Sequence, residues 1–249
     1  MPSAQAEFES LARSVACIGD QGLRASFLRH TLLGKRPEQV ADLFTVAMSR
    51  AEARRPAHIE LLQALSLALA HDSCDAMREA VRGVLEARQQ PALARALQRD
   101  QVAEEAETQR IPDFGKGRTL TLGERKSLAR RNDRNLLARV LRDPHPHVIR
   151  ILLGNPTLTE NDIVRLCARR PVSTEVLREV WKSARWIVRY PVKVALALNP
   201  YTPVDIALQL TPHLHSQDLR RMLAADELHA DVREACRRLL GKTESTTLH

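Results

Sequence analysis

Apolar residues recur at helical spacing along almost the whole chain, and prolines cut the runs short. Ile59, Leu62, Leu65 and Leu69 step by three, three and four, which predicts one buried stripe on a helix over 56–70. Similar periodicity predicts helices over 21–33, 37–53, 75–89 and 91–104. Pro37, Pro56 and Pro91 each open such a run, because a first-turn residue needs no helical partner for its N–H. Short connections should make neighbouring helices antiparallel. Beyond residue 120 the helices shorten. They are expected over 122–131, 134–142, 147–153, 159–169, 174–180, 181–188, 192–198, 203–210, 216–224 and 230–240. Prolines at 144, 146, 156, 171, 191, 200, 203 and 212 hold them to two or three turns. Period-two alternation is almost absent, so the expected fold class is all-α.

The second half contains an echo. Residues 148–171, VIRILLGNPTLTENDIVRLCARRP, and 192–212, VKVALALNPYTPVDIALQLTP, each read as apolar helix, Asn-Pro stop, Thr start and second apolar helix. Asn155 and Asn199 lie 44 residues apart, and Thr159 and Thr202 lie 43 apart, because Thr157-Leu158 gives way to Tyr201 alone. Proline restricts the residue before it to extended conformations, so each Asn ends a helix. Thr159 and Thr202 then cap the next helix, with Asp162 and Asp205 reaching back from three residues on. Thr121 and Glu124 have the same form. The two aspartates also admit a reading as catalytic or metal carboxylates; their recurrence with the repeat favours caps.

Such a unit cannot bury its apolar face alone, so copies must stack. In the run V-x-x-A-L-A-x-N-P-x-T-P-x-D-I at 192–206, and more loosely at 148–163, the chain resembles the HEAT-like and leucine-rich-repeat-variant α-solenoids of bacterial type. The resemblance implies a superhelix of short antiparallel helix pairs over 121–240, preceded by an N-terminal helical bundle or capping helices over 1–108. Residues 109–120, with Pro112, Gly115 and Gly117, read as a linker, and 241–249 as a disordered tail. The Gly-Lys-Gly-Arg run in the linker lacks the G-x-x-x-x-G-K-[ST] spacing and a preceding strand, so it is read as a connector. Some leucine-rich-variant proteins carry an iron–sulfur cluster on grouped cysteines. Cys17, Cys74, Cys167 and Cys236 are scattered, so no cofactor is carried over.

Aromatic residues make up 3% of the 249, which leaves Leu, Ala, Val and Ile to build the core and suits helix-on-helix packing. Scattered cysteines read as reduced core thiols. No 18-residue apolar run is present, and the first 14 residues include acidic ones without an apolar block. No membrane span or signal peptide is therefore expected, and a cytoplasmic location is. The net charge of +8 is unevenly placed: from Ile111 onward there are 24 Lys+Arg against 15 Asp+Glu, and before it 14 against 15. Excess positive charge in the repeat half attracts acidic protein, nucleic acid or anionic lipid. Arginine supplies 32 of the 38 cations, which also fits a GC-rich genome.

Residues 181–193, WKSARWIVRYPVK, interleave both tryptophans and Tyr190 with four cations. Two readings stand: cations beside aromatic rings form a docking surface, or Trp181 and Ile187 pack inward below a solvated charged face. On the first, the partner-binding residues are Arg169, Arg170, Lys182, Arg185, Trp186, Arg189, Tyr190 and Lys193, with Arg185 and Arg189 on one helix face. His145/His147 and His213/His215 are H-x-H pairs, yet a tetrahedral site needs further ligands, so no metal is expected. No catalytic motif is present. The expected function is a non-enzymatic scaffold holding a protein or acidic peptide on a basic solenoid surface. Nucleic-acid binding is the alternative, in the manner of the HEAT-like DNA glycosylases, with no catalytic residue matched.

Overall fold

The computed structural model describes residues 4–51, 55–99, 111–114 and 117–247, with side chains described to residue 241. Every regular element among them is helical. The chain packs as two compact units, Met1–Arg99 with Val204–His249, and Asp100–Pro203.

The first unit holds α1 (Ala4–Ala16), α2 (Gln21–Leu33), α3 (Pro37–Ala51), α4 (Pro56–Ala70), α5 (Asp75–Ala87) and the short α6 (Pro91–Arg95). Beyond residue 99 the expected helix over 91–104 lies outside the described residues, as do residues 52 and 53 of the one over 37–53. At the centre stands α4, against which α1, α2, α3 and α5 pack. Its burial differs from the expected single stripe: every residue from Leu61 to Leu69 is buried, while Ile59 is only partly so. The reason is composition. The helix is apolar on all sides, and such a helix is stable only when wrapped.

The same unit includes α14 (Val204–Leu210), α15 (Ser216–Leu223) and α16 (Ala230–Thr247). Gln209, itself buried, donates from Nε2 to the carbonyl of Ala96 at 2.6 Å and so ties α14 to the end of α6. The region 121–240 is thus divided: its last helices belong with the N-terminal ones. Helix α16 runs through most of the expected tail; residues 248 and 249 lie outside the described residues. Three cysteines are buried and Cys17 is exposed, so the expectation of four core thiols holds for Cys74, Cys167 and Cys236. Burial pushes the Cys236 thiol up to about 12. No helix is long and apolar enough to cross a membrane among the described residues.

The second unit holds α7 (Leu122–Leu128), α8 (Arg134–Val140), α9 (Pro146–Leu153), α10 (Glu160–Ala168), α11 (Thr174–Lys182), α12 (Ala184–Ile187) and α13 (Tyr190–Ala197). The expected capping boxes form at two of the three positions. Thr121 Oγ accepts from the N–H of Glu124 at 3.3 Å while Glu124 accepts from the N–H of Thr121 at 2.9 Å. Thr159 and Asp162 repeat both bonds at 3.3 and 2.9 Å. Thr202 departs from the pattern, spending its hydroxyl proton on the carbonyl of Leu196 at 2.7 Å, at the end of α13. Asp205 is buried at the start of α14.

The Asn-Pro dipeptides do more than stop helices. Asn155 is buried after α9, and its amide donates to the carbonyls of Ala129 and Arg131 at the end of α7, at 3.0 and 2.9 Å. Its Oδ1 accepts the N–H of Thr157 at 2.9 Å. Asn199, after α13, does the same to Cys167 and Arg169 at the end of α10, at 2.6 and 3.0 Å, and accepts from Tyr201 at 3.0 Å. The helices follow suit: α9 packs on α7 as α13 packs on α10. The single-turn α12, absent from the first block, helps to place Asn199 six residues farther from its targets in sequence than Asn155 is from its own.

Replacing Asn199 with Ala leaves two helix-end carbonyls and one N–H without their partner. The expected cost is about 2–4 kcal/mol, and a fall in Tm of roughly 5–15 °C, with Asn155→Ala behaving alike. A change below about 0.5 kcal/mol in urea unfolding at both positions, the size of an ordinary surface substitution, sinks the clamp.

Candidate interaction surface

The second unit carries 19 Lys+Arg against 12 Asp+Glu, while the first carries 19 against 18. Three of the second unit's arginines converge on the turn that joins α9 to α10. Arg134, first residue of α8, is aimed by the cap of Asp133 and donates to the carbonyl of Thr157 at 3.3 Å and to both carboxylate oxygens of Asp162 at 2.6 and 3.1 Å. From α12, Arg185 donates to the carbonyl of Asn155 at 3.0 Å. Arg189, the extended residue ahead of α13, reaches Glu160 at 3.2 Å. Arg134 above all, with Thr159, holds the Asp162 carboxyl down at about 2.

Trp186 lies beneath this group. It is 2% exposed, and its indole N–H donates to the carbonyl of Leu153 at 2.8 Å. The guanidinium carbons of Arg185 and Arg189 sit 4.4 and 6.0 Å from the ring centroid. The ring therefore serves as a floor for two cations, not as a platform for a base. Trp181 is buried as well, as the inward-packing reading requires, and it belongs to α11, not to the helix after it. The expected shared helix face of Arg185 and Arg189 does not exist. The helix breaks at Val188, and the ring brings the two side chains together instead.

The remaining candidates separate. Arg170 is exposed and donates to the carbonyl of Leu198 at 2.8 Å, beside the second Asn-Pro turn, where Tyr201 is 42% exposed. Arg169 is partly buried and donates to the carbonyl of Leu141 at 3.3 Å; burial, with the nearby charge of Arg142, lowers its pKa. Lys182 closes α11 and Tyr190 opens α13, both partly buried. Lys193 is withdrawn from the surface altogether, at 8% exposure. It stands six residues before Asn199, where the first block has the fully buried Ile149 six residues before Asn155. Arg134 escaped the sequence reading because it meets Asp162 across 28 residues of chain, a separation no local spacing reveals.

His145 and His147 meet ring to ring at 5.2 Å, and burial together with His147 lowers the pKa of His145. Among the described residues no three His, Cys, Asp or Glu side chains gather as a metal site requires.

Burial lowers the Lys193 amine from 10.5 to about 8. The folded state thus prefers the neutral amine, and the unfolded chain binds the proton more tightly. Stability should rise with pH between about 8 and 10.5, with the burial cost fully present below 8. Lys193→Met is expected to raise Tm at pH 7 by several degrees, from a cost on the order of 3 kcal/mol. The gap between variant and parent should close toward pH 10.5. An equal gap at pH 7 and pH 10.5 excludes this account.

Comparison of the chain with protein-family models, with curated proteins and with solved structures finds no match.

Proposed function

We propose that the protein is a non-enzymatic, HEAT-like helical-repeat scaffold that holds an acidic protein segment across the Asn-Pro turns of its second unit, and that it acts in the cytoplasm. One observation carries this reading: exposed arginines are anchored at both turns, Arg134, Arg185 and Arg189 at the first and Arg170 at the second. Arg134 fixes two nitrogens on the fold, and Arg185 and Arg189 fix one each on a carbonyl or carboxylate. A guanidinium has five N–H donors, so donors remain for a partner's carboxylates while the side chain is already ordered. Ordering before binding lowers the entropic cost of association.

A nucleic-acid partner draws on the same charge. Strand-stacking recognition uses several exposed rings, however; both tryptophans are buried, and Tyr201 is the exposed ring at these turns. Contact is then mainly with phosphates, which carries a steep salt dependence.

A fluorescent polyglutamate peptide distinguishes the two. It should bind the parent protein, and Arg185→Glu with Arg189→Glu should weaken it at least roughly tenfold, about 1.4 kcal/mol, at a temperature where circular dichroism shows the variant still folded. Arg170→Glu, at the other turn, provides a second variant should the first lose stability. Equal peptide binding by parent and both variants removes the proposal. Tighter binding of duplex DNA that collapses with added salt replaces it with the nucleic-acid reading.

A further inference from the structure

The end of the segment set aside in the sequence as a connector, Gly117 and Arg118, borders a cavity. Ile111, Pro112, Asp113, Gly117, Arg118 and Thr119 line an open cleft of about 850 Å³ together with Arg139, near the end of α8, and Arg142, just beyond it. The size suits a small molecule; ligand sites run from about 300 to 1,000 Å³.

Its charge is unbalanced. Arg118 is committed to Glu124, Nη1 to Oε2 at 3.0 Å, and so shapes the wall. Arg139 and Arg142 are exposed, and neither forms an ion pair among the described residues. Among the described residues Asp113 is the one acidic side chain lining the cavity, and it already has a partner of its own. Arg142 also lies close enough to Arg169 for its charge to add to the effect of burial in lowering that residue's pKa, with Asp143 acting the other way. Gly117 has φ +65, a left-handed conformation that glycine adopts without strain, and a Cβ there would meet nothing within 4 Å.

We infer that this cavity is a binding site for a small, multiply charged oxyanion, held by the paired guanidiniums of Arg139 and Arg142. Two arginines three residues apart offer two forked sets of donors, more than a single carboxylate can accept, so a multiply charged oxyanion uses them best. Neither arginine is among those at the Asn-Pro turns, so the inference stands independently of the scaffold reading.

Calorimetric titration of the full chain with inorganic pyrophosphate and with citrate, at constant ionic strength and with acetate as control, tests it. At least one polyanion should bind saturably below about 1 mM, and acetate should not. Arg139→Ala with Arg142→Ala should weaken that binding at least roughly tenfold, while Arg185→Glu with Arg189→Glu leaves it intact. Both arginines are exposed, so an unchanged Tm certifies the fold of the double variant. Three results overturn the inference: no saturable binding by either anion, equal binding by the Arg139/Arg142 variant, or loss that follows Arg185 and Arg189 instead.

Discussion

The second unit depends on side chains that satisfy helix-end carbonyls. A helix leaves its last four C=O groups without intrahelical donors, whatever its length. In α7 and α8, each of 7 residues, that is more than half of the backbone acceptors. Long helices can leave the deficit to water at their tips. Stacked short ones cannot, because their ends lie near or inside the core. The amides of Asn155 and Asn199 each cover two such carbonyls from the helix packed alongside. Trp186 covers the last residue of α9, Arg169 the end of α8 and Arg170 the end of α13. One device recurs at the ends of α7, α8, α9, α10 and α13.

That device couples architecture to surface chemistry. Where asparagine serves as the donor, the side chain is buried and contributes nothing outside. Where arginine serves, the anchoring nitrogen faces a carbonyl while the residue stays exposed, as at Arg170 and Arg185. The basic character of the turns then comes from the helix ends themselves: cations gather where helices end because helix ends need donors. Macrodipoles reinforce this, since the carbonyl end of a helix favours positive charge.

Much of this was legible in the chain and some was not, for identifiable reasons. Helix positions followed from proline spacing and period, and two Thr-x-x-acid boxes were readable because a cap is a local interaction between residues three apart. Thr202 misled for the same reason: its hydroxyl bonds backward to Leu196, an option the motif does not encode. Asn155 and Asn199 were recognised as stops, but their amide bonds span 24–32 residues, beyond any local pattern. Of the candidate surface, Arg170, Arg185 and Arg189 are exposed, whereas Trp186 and Lys193 are buried. Aromatic and cationic residues in one run do not reveal which side of the backbone each occupies once the helix breaks, as it does at Ser183 and Val188.

The imbalance of 32 arginines to 6 lysines acquires a physical sense from these contacts. An ammonium is a point charge: a lysine bonded to a helix-end carbonyl has its charge centre at that bond, largely spent there. A planar guanidinium spreads its charge over a fork about as wide as a carboxylate, so it can close a helix and face outward together. It also sits over an indole, as Arg185 does at 4.4 Å from the ring centre of Trp186. Lys193 illustrates the converse. Six residues before its asparagine, where the first block buries Ile149, the lysine has been drawn into the interior and its amine pushed toward neutrality. A genome-wide preference for arginine codons can supply the residues, but it cannot aim them. The aiming comes from unpaired carbonyls at the ends of helices too short to hide them.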